Sequence, residues 1–202
     1  MNSNDILING LIGSGQLFHQ RGWVPATGGN FSARLDAETM LITASGCHKG
    51  ELTPADFLVA DFDGKPINSP RKASYETLLH CQLYRMNAGI GGALHTHSIA
   101  NTVLSMRHEV IRLSGYELLK VLPGITTHDT TVDVPVFEND QDIARLAATV
   151  DAALRKQADA AAYVIRGHGL YAWGDNIAQA RWRVEALEFM FECELQAQRQ
   201  ST

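Results

Sequence analysis

The sequence predicts an α/β fold with a mixed β-sheet that is covered by helices on both faces. Segments of helical periodicity alternate along the chain with short strand-like segments, which is the pattern of a layered α/β domain. Several of the strands follow one another through short turns, so part of the sheet must be antiparallel. The 202 residues contain no internal repeat, low-complexity tract or linker, and we expect one domain spanning residues 1–202.

Five helices are predicted from apolar residues that recur at helical spacing and from capping residues before them. They cover approximately residues 3–21, 74–87, 99–106, 140–157 and 177–195. The candidate N-caps, in chain order, are Ser3 or Asn4, Ser74, Ser98, Asn139 or Asp140, and Asp175 or Asn176. Gly22 and Gly89 are the candidate stops of the first and second helices, because glycine readily leaves the helical conformation.

Seven strands are predicted from short β-branched, aromatic or apolar runs between turn residues. They cover approximately residues 30–35, 39–43, 58–62, 90–97, 131–137, 161–165 and 170–173. Asp63 and Gly64 form a hairpin signal after the third strand, and the tight turn Gly167-His168-Gly169 joins the last two. Residues 67–72 are predicted to form a loop, with Pro66 and Pro70 as breakers.

Composition and charge argue against several classes of function. The net charge of −5 and the lack of a basic run disfavour nucleic-acid binding. Because no apolar run approaches 18 residues and no signal-peptide pattern begins the sequence, we expect no membrane span and a cytoplasmic location. The three widely spaced cysteines, Cys47, Cys81 and Cys193, form no CxxC pair, and we expect them to be reduced.

Three histidines are the strongest candidates for chemistry. His95 and His97 are two residues apart on a predicted strand, so their side chains point to the same face. His168 lies far downstream between two glycines, which allow a close approach of backbone and ligand. Three imidazoles with an open coordination position suit catalytic zinc or another first-row divalent metal. An isolated HxH pattern is more often a pair of polar residues at the end of a strand.

Three segments could bind a phosphate group without a P-loop lysine. Residues 27–32 contain a glycine pair before Asn30, and residues 43–46 contain a second cluster of hydroxyl and glycine residues. Ser74 stands at a predicted helix start, where backbone N–H groups and the helix dipole favour an anion. Each segment alone is more often an ordinary turn or cap. The candidate substrate-binding residues are Gly29, Asn30, Ser45, Gly46 and Ser74.

Two carboxylates are candidates for acid–base or substrate-binding roles. Glu76 follows Ser74 and could simply stabilise a helix N-terminus, and Glu117 could be a solvated helix residue. For any single glutamate the surface position is the more common one. The remaining histidines show no spacing that singles them out, and we expect most of them to be surface or hydrogen-bonded side chains.

The chain resembles the class II aldolase and adducin head family. The resemblance lies in GGNFS at residues 28–32, TASG at 43–46, SYE at 74–76, HTHS at 95–98 and GHG at 167–169, which occur in family order. It implies a three-layer α/β/α sandwich with a mainly antiparallel sheet. It also implies one Zn²⁺, or another divalent metal, per subunit on His95, His97 and His168, a sugar-phosphate substrate, and a homotetramer with active sites at subunit boundaries.

Within that family, residues 72–80, 116–120 and 166–174 are most similar to the dehydratase branch, whose substrate in methionine salvage is a 2-ketose 1-phosphate with a methylthio group at C5. Aldolases typically have Asn where this chain has Gly167. In the dehydratases a glutamate matching Glu117 is the catalytic acid–base, and Glu76 would shape the substrate pocket. A sugar-phosphate aldolase or epimerase is the alternative. An adducin-like interaction module would be expected to lack the three histidines.

Overall fold

The computed structural model describes residues 2–157 and 159–200. The five helices are α1 Ser3–Gln20, α2 Thr77–Met86, α3 Ile99–Arg107, α4 Ile143–Leu154 and α5 Ile177–Gln200. The eight strands are β1 Asn30–Arg34, β2 Thr39–Thr43, β3 Phe57–Asp61, β4 Gly92–Thr96, β5 Val110–Ser114, β6 Thr131–Phe137, β7 Ala162–Ile165 and β8 Gly169–Gly174. No helix in the described ranges is both long enough and apolar enough to cross a membrane.

One sheet contains all eight strands in the order β3-β2-β1-β4-β8-β7-β6-β5. Neighbouring strands are antiparallel except β6 and β7, which are parallel. Each face of the sheet has its own apolar core, because successive side chains of a strand point to opposite faces. The predicted fold is therefore confirmed as a mixed, mainly antiparallel sheet between two helical layers.

Alternation in β4 illustrates how the two cores divide. Leu94 belongs to the core that contains residues of α1, α3 and α5, whereas Ala93 belongs to the core that contains residues of α2 and α4. His95 has the same parity as Ala93, and Tyr171, its partner across the ladder to β8, also belongs to the α2–α4 core. The first histidine is therefore held inside a packed layer rather than at a free surface.

Four predicted details were wrong. Strand β5 was not predicted. Only two of its five residues, Ile111 and Leu113, are buried, so its alternating pattern is short. Helix α1 is capped by Asn2, which forms a capping box with Asp5. Helix α4 is capped by Asp142. Helix α2 begins at Thr77, three residues after the predicted cap, because residues 75 and 76 form a turn that directs Glu76 away from the helix.

The order and direction of the strands bring several loops to one end of the sheet. β4 ends at Thr96, and the β7–β8 turn lies at the same end because β4 and β8 are antiparallel. The start of β1 pairs with the end of β4, since Asn30 lies opposite His95. The end of β2 lies there as well, because β2 is antiparallel to β1. We call this end of the sheet the histidine end.

Candidate metal centre

The three predicted histidines converge at the histidine end of the sheet. The Nε2 atom of His95 lies 2.8 Å from Nε2 of His97 and 3.4 Å from Nε2 of His168. Ligand atoms about 2.0–2.1 Å from a tetrahedral zinc ion would be separated by roughly 3.3 Å from one another. One ligand atom from each histidine therefore lies where a shared divalent ion would require it.

Hydrogen bonding sets the orientation of the first imidazole. His95 is fully buried in β4, and its Nδ1 lies 2.9 Å from the carbonyl oxygen of Leu170 in β8. Since a carbonyl only accepts, Nδ1 carries the proton and Nε2 presents its lone pair to the cluster. A hydrogen bond of this type on the far nitrogen is the usual support of a metal-bound histidine.

Glycine is required in the turn that supplies the third histidine. A Cβ atom on Gly169 would lie 2.1 Å from the carbonyl oxygen of Thr96 and 2.7 Å from Cε1 of His95. Gly167 has a φ of +61°, in the left-handed region that side chains disfavour. The Gly-His-Gly sequence thus lets the β7–β8 turn lie directly against β4.

Burial keeps the imidazoles of His95 and His97 neutral. It lowers the pKa of His95 well below its ordinary value. Burial, with the nearby charge of His168, lowers the pKa of His97 to about 4. Neutral imidazole is the form that binds a metal, so these residues fit a borderline divalent cation without first losing a proton at neutral pH.

Glu76 completes the centre, although its sequence context favoured a surface position. Its Oε1 lies 2.9 Å from Nε2 of His168, and its Oε2 lies 3.4 Å from Nε2 of His95. Asn30 and Tyr171 donate hydrogen bonds to Oε2, at 2.5 and 3.0 Å. Burial opposes ionisation, but interactions with the two histidines and the hydrogen bond from Asn30 outweigh it and lower the pKa of Glu76.

The three predicted phosphate segments meet beside this centre. Asn30 contacts Glu76, and the segment before it packs against the metal site, since a Cβ on Gly28 would lie 3.0 Å from Nδ1 of His97. The backbone N–H of Ser45 donates to the carbonyl oxygen of Lys72 at 3.0 Å, which joins the second segment to the chain leading to Ser74. Ser45 and Gly46 are exposed, Gly29 and Gly46 have positive φ, and Ser74 is half-buried.

A buried lysine was missed in the sequence. Lys49 is 2% exposed, and its Nζ donates to the backbone oxygens of Thr27 and Cys47 at 2.9 and 2.5 Å. These oxygens belong to the two glycine-containing loops of the predicted phosphate segments. Within the described ranges no carboxylate forms an ion pair with Lys49. A lysine in a polar turn is ordinarily exposed, so no local pattern could have identified it.

A buried glutamate accepts hydrogen bonds from the HTHS segment at residues 95–98. Glu188 of α5 accepts hydrogen bonds from the side chains of Thr96 and Ser98, each at 2.5 Å, and from Asn101 at 2.9 Å. Burial raises the pKa of Glu188 to about 7. Because Thr96 and Ser98 flank His97, this carboxyl group holds both neighbours of a candidate metal ligand.

Glu117, the predicted acid–base residue, lies away from the cluster in its own chain. It follows β5, whose last residue Ser114 pairs with Thr131 at the start of β6. His168 instead follows the end of β7, which is level with the end of β6. The seven residues of β6 span roughly 20 Å. Glu117 is largely exposed, and the ion pairs that the described residues give it are with Lys120 and His128.

Comparison with known proteins places this geometry in one family. The family model described as the Class II Aldolase and Adducin N-terminal domain matches residues 9–195. A methylthioribulose-1-phosphate dehydratase of Xanthomonas campestris is 54% identical over 189 residues, covering 92% of this chain and 87% of that protein. The protein of that name in Pseudomonas aeruginosa is 50% identical over 198 residues, covering 96% and 97%.

A solved structure supports the same assignment of the fold. The crystal structure of L-fuculose-1-phosphate aldolase from Thermus thermophilus is similar to this chain, with a TM-score of 0.80 and 27% sequence identity. The match covers 96% of this chain and 95% of that one. The same sheet and helical layers therefore occur in a chain whose name denotes cleavage of a sugar phosphate.

Proposed function

This chain belongs to the class II aldolase and adducin N-terminal domain family, and we propose that it dehydrates 5-methylthioribulose 1-phosphate to 2,3-diketo-5-methylthiopentyl 1-phosphate. The observation that carries the proposal is the convergence of three imidazoles beside Glu76 in a chain about half identical to proteins named for that reaction. The reaction would serve methionine salvage, and the whole chain would act as one domain in the cytoplasm.

His95, His97 and His168 would hold the metal, and we propose one Zn²⁺ per subunit. Their nitrogen donors and spacing suit zinc, as does the neutral state of His95 and His97, and another first-row divalent ion could occupy the same set of ligands. When bound, the metal supplies Lewis-acid stabilisation of negative charge on the substrate's keto oxygen. The carboxylate of Glu76 would shape the substrate pocket next to it.

Dehydration requires a base at C3 and an acid at C4 of the sugar. The C3 proton is acidic because the neighbouring C2 carbonyl can accept the electron pair of the broken C–H bond. As the C3–C4 double bond forms, the C4 hydroxyl leaves with a proton as water, and the enol product tautomerises to the 2,3-diketone. We assign both proton transfers to Glu117, which as a general acid–base would contribute about 10²–10⁴-fold to the rate.

The position of Glu117 determines how it could reach the substrate. Because it lies at the opposite end of the sheet from His168, it would act in the active site of a neighbouring subunit. Its exposure leaves the carboxylate available for such a contact. A homotetramer with head-to-tail interfaces would place each Glu117 beside the histidines of the next subunit, as a closed ring allows.

Phosphate binding is assigned to the loops at the histidine end. Gly29, Asn30, Ser45, Gly46 and Ser74 belong to three segments that meet there. Positive φ at Gly29 and Gly46 is compatible with backbone N–H groups that point towards an anion. The buried ammonium of Lys49 lies between two of these loops and would favour a negatively charged phosphate.

Product analysis tests the proposed reaction. The purified protein is incubated with 5-methylthioribulose 1-phosphate, with and without a chelator, and the masses of the products are measured by mass spectrometry. We expect a product lighter than the substrate by one water, formed only when metal is present. Two carbon fragments would instead indicate an aldolase, and an unchanged mass with a new stereoisomer would indicate an epimerase. Dehydration unaffected by complete metal removal would contradict the assigned metal centre.

A further inference from the structure

A line of buried polar side chains leads from the interior of α2 to the candidate metal centre. Tyr84 Oη lies 2.7 Å from Ser32 Oγ, which lies 2.6 Å from His80 Nδ1. Nε2 of His80 contacts Oδ1 of Asn30, and Nδ2 of Asn30 lies 2.5 Å from Oε2 of Glu76. We call these five residues the His80 chain.

Burial makes every bond in this chain significant. His80 and Ser32 are completely buried, while Tyr84 and Asn30 are 2% and 3% exposed. A buried polar group without a hydrogen-bond partner is destabilising, so each member is expected to keep its hydrogen bond. The His80 ring also packs edge-on against Tyr171, whose hydroxyl donates to the same carboxylate oxygen of Glu76.

The carboxylate of Glu76, at one end of the His80 chain, determines which group is the donor in each of its hydrogen bonds. An ionised carboxylate can only accept, so Asn30 must present its NH₂ group to Glu76 and its oxygen to His80. Nε2 of His80 must then carry the proton, because the amide oxygen cannot donate. In a neutral imidazole the other nitrogen, Nδ1, accepts from the Ser32 hydroxyl, which in turn accepts from Tyr84.

The reverse arrangement would leave two acceptors facing each other. If Nδ1 of His80 carried the proton, Nε2 would need a donor, and the Asn30 amide would have to turn its NH₂ group towards the ring. The amide oxygen would then face Oε2 of Glu76 without an intervening proton. Burial also lowers the pKa of His80 to about 4, which agrees with a neutral ring that holds one N–H.

We propose that His80 is a positioning residue: its Nε2–H tautomer fixes the amide of Asn30 so that it donates to Glu76 and holds that carboxylate against His95 and His168. His80 contacts none of the three candidate metal ligands through a hydrogen bond among the described residues, so it acts through Asn30. The link to turnover rests on the proposed function, whereas the tautomer and the orientation of the amide do not.

The tautomer can be measured directly in the wild-type protein. Histidine labelled with ¹⁵N distinguishes a protonated ring nitrogen from an unprotonated one in long-range ¹H–¹⁵N correlation spectra, and the signals of His80 are identified by their loss in His80→Gln. We expect Nε2 protonated and Nδ1 unprotonated in the metal-loaded protein. A protonated Nδ1 with an unprotonated Nε2 would overturn the proposal, whatever reaction the enzyme catalyses.

Two variants separate positioning from packing. His80→Gln keeps a donor for Asn30 and an acceptor for Ser32, whereas His80→Leu has a similar size and neither. Since loss of an outer hydrogen-bond partner at a metal site typically costs about 10–100-fold, we expect His80→Leu to lower kcat by at least about tenfold and His80→Gln to recover most of it. Metal content and KM should change less than kcat.

Equal kcat values for His80→Leu and the wild type would overturn the proposal, and so would a His80→Gln variant as impaired as His80→Leu while remaining folded and metal-loaded. Should His80→Leu fail to fold, the comparison of His80→Gln with Asn30→Asp replaces it. Asn30→Asp still accepts from His80 but cannot donate to an ionised Glu76, and we expect it to lower kcat by a larger factor than it raises KM while the His80 tautomer is retained. A wild-type protein that does not dehydrate the substrate would refute the proposed function while the tautomer test stands.

Discussion

At the residue scale, Glu76 and Glu117 carry the same functional group in opposite environments. Glu76 is enclosed by Asn30, Tyr171 and the histidines; burial opposes its ionisation, but His95, His168 and the Asn30 hydrogen bond outweigh burial and lower its pKa. Glu117 is exposed and paired with Lys120, so its carboxylate faces solvent in the isolated chain. An acid–base catalyst needs access to both substrate protons, whereas a carboxylate held by four polar groups is suited to a fixed position.

Removal of one histidine should abolish metal binding. We expect His168→Ala to lose bound metal and activity together, because two remaining imidazoles cannot retain the ion at micromolar metal concentrations. Elemental analysis of the purified variant, beside a turnover assay, measures both quantities. His19→Ala is the control, since His19 is an exposed residue near the end of α1. Full metal content in His168→Ala would show that another group supplies the third ligand.

Glu117→Gln should separate chemistry from metal binding. The amide keeps the size of the carboxylate but cannot accept a proton, so we expect turnover to fall by about 10²–10⁴-fold. Metal content should equal that of the wild type, because the proposed ligands are His95, His97 and His168 and do not include Glu117. Normal turnover in this variant would show that another residue removes the C3 proton.

The stability of the protein should depend on the ionisation of Glu188. Its pKa in the folded protein, about 7, is above the ordinary value of 4.5, so the folded state binds more protons between these values. Stability therefore falls as pH rises through this range, by at most about 1.4 kcal/mol per pH unit. The free energy of unfolding of the wild type, measured at fixed protein concentration from pH 5 to pH 8, should decrease relative to that of Glu188→Gln.

Glu38→Gln is the matched control for that measurement, because Glu38 is exposed between β1 and β2 and is not in contact with Glu188. Its pH profile should follow the wild type. If the profiles of the wild type and Glu188→Gln were parallel from pH 5 to pH 8, Glu188 would not titrate in this range in the folded protein.

At the element scale, the β7–β8 turn decides whether three imidazoles can meet. The turn is short, and Gly169 brings its backbone against Thr96 and His95 of β4 more closely than a side chain would permit. Strand pairing between β4 and β8 then places the His168 ring opposite the end of β4. The metal centre therefore depends on backbone contact between two strands that are distant in sequence.

Addition of one methyl group to this turn should disrupt both stability and metal binding. We expect Gly169→Ala to lose about 1–3 kcal/mol of stability, because the added Cβ would overlap a backbone oxygen that cannot move freely. Gly13→Ala is the control: Gly13 lies inside α1 with no atom within 4 Å of an added Cβ, and the change should stabilise the protein by about 0.5–1 kcal/mol. Chemical denaturation and metal titration test both variants.

Wild-type stability in Gly169→Ala would show that β4 and the turn can separate without loss of packing. A destabilised Gly13→Ala would show that the face of α1 around Gly13 is covered, for example by another subunit. The two results are independent because the residues lie in different elements.

At the scale of the whole molecule, the sheet separates the two groups that the proposed reaction requires. The histidines lie at one end, and Glu117 follows a strand that runs to the other. No rearrangement of a side chain spans roughly 20 Å of β-strand. If Glu117 is the acid–base, as we propose, a complete active site would need a second copy of the chain.

Mixed oligomers test this requirement. His95→Ala and Glu117→Gln are each expected to be nearly inactive, and they are co-expressed with different affinity tags and purified through both. If each site takes its histidines from one subunit and Glu117 from the next around a ring, random mixing should restore about one quarter of the sites. Turnover per subunit, relative to the wild type, gives the measurement, and mixtures of separately purified, non-exchanging variants are the control. Co-expressed oligomers without recovered activity would place both groups in one chain.

Local patterns predicted most of the fold because caps, periodicity and turns act over a few residues. They failed where packing overrides the pattern. In β5 only Ile111 and Leu113 are buried, and an alternation of apolar and polar residues this short is weak evidence for a strand. Helix α2 starts later than the Ser74 cap suggested, because the preceding turn directs Glu76 to the metal centre.

Local sequence patterns could not predict which charged residues are buried. Lys49 and Glu188 look like ordinary surface residues in sequence, and their positions depend on contacts with segments that are distant along the chain. Glu188, for example, receives hydrogen bonds from residues about 90 positions earlier. Only the packing of α5 against the HTHS segment reveals that role.

The sequence by itself determined the layered α/β fold, the family and the three histidines, because strand alternation and glycine-framed turns restrict where those side chains can point. Only the tertiary structure decided that Glu76 is inside the centre, that Glu188 supports it and that Glu117 is remote from it. The physical reason is that the burial of a charge depends on which distant elements enclose it, and the order and direction of the strands in the sheet establish that enclosure.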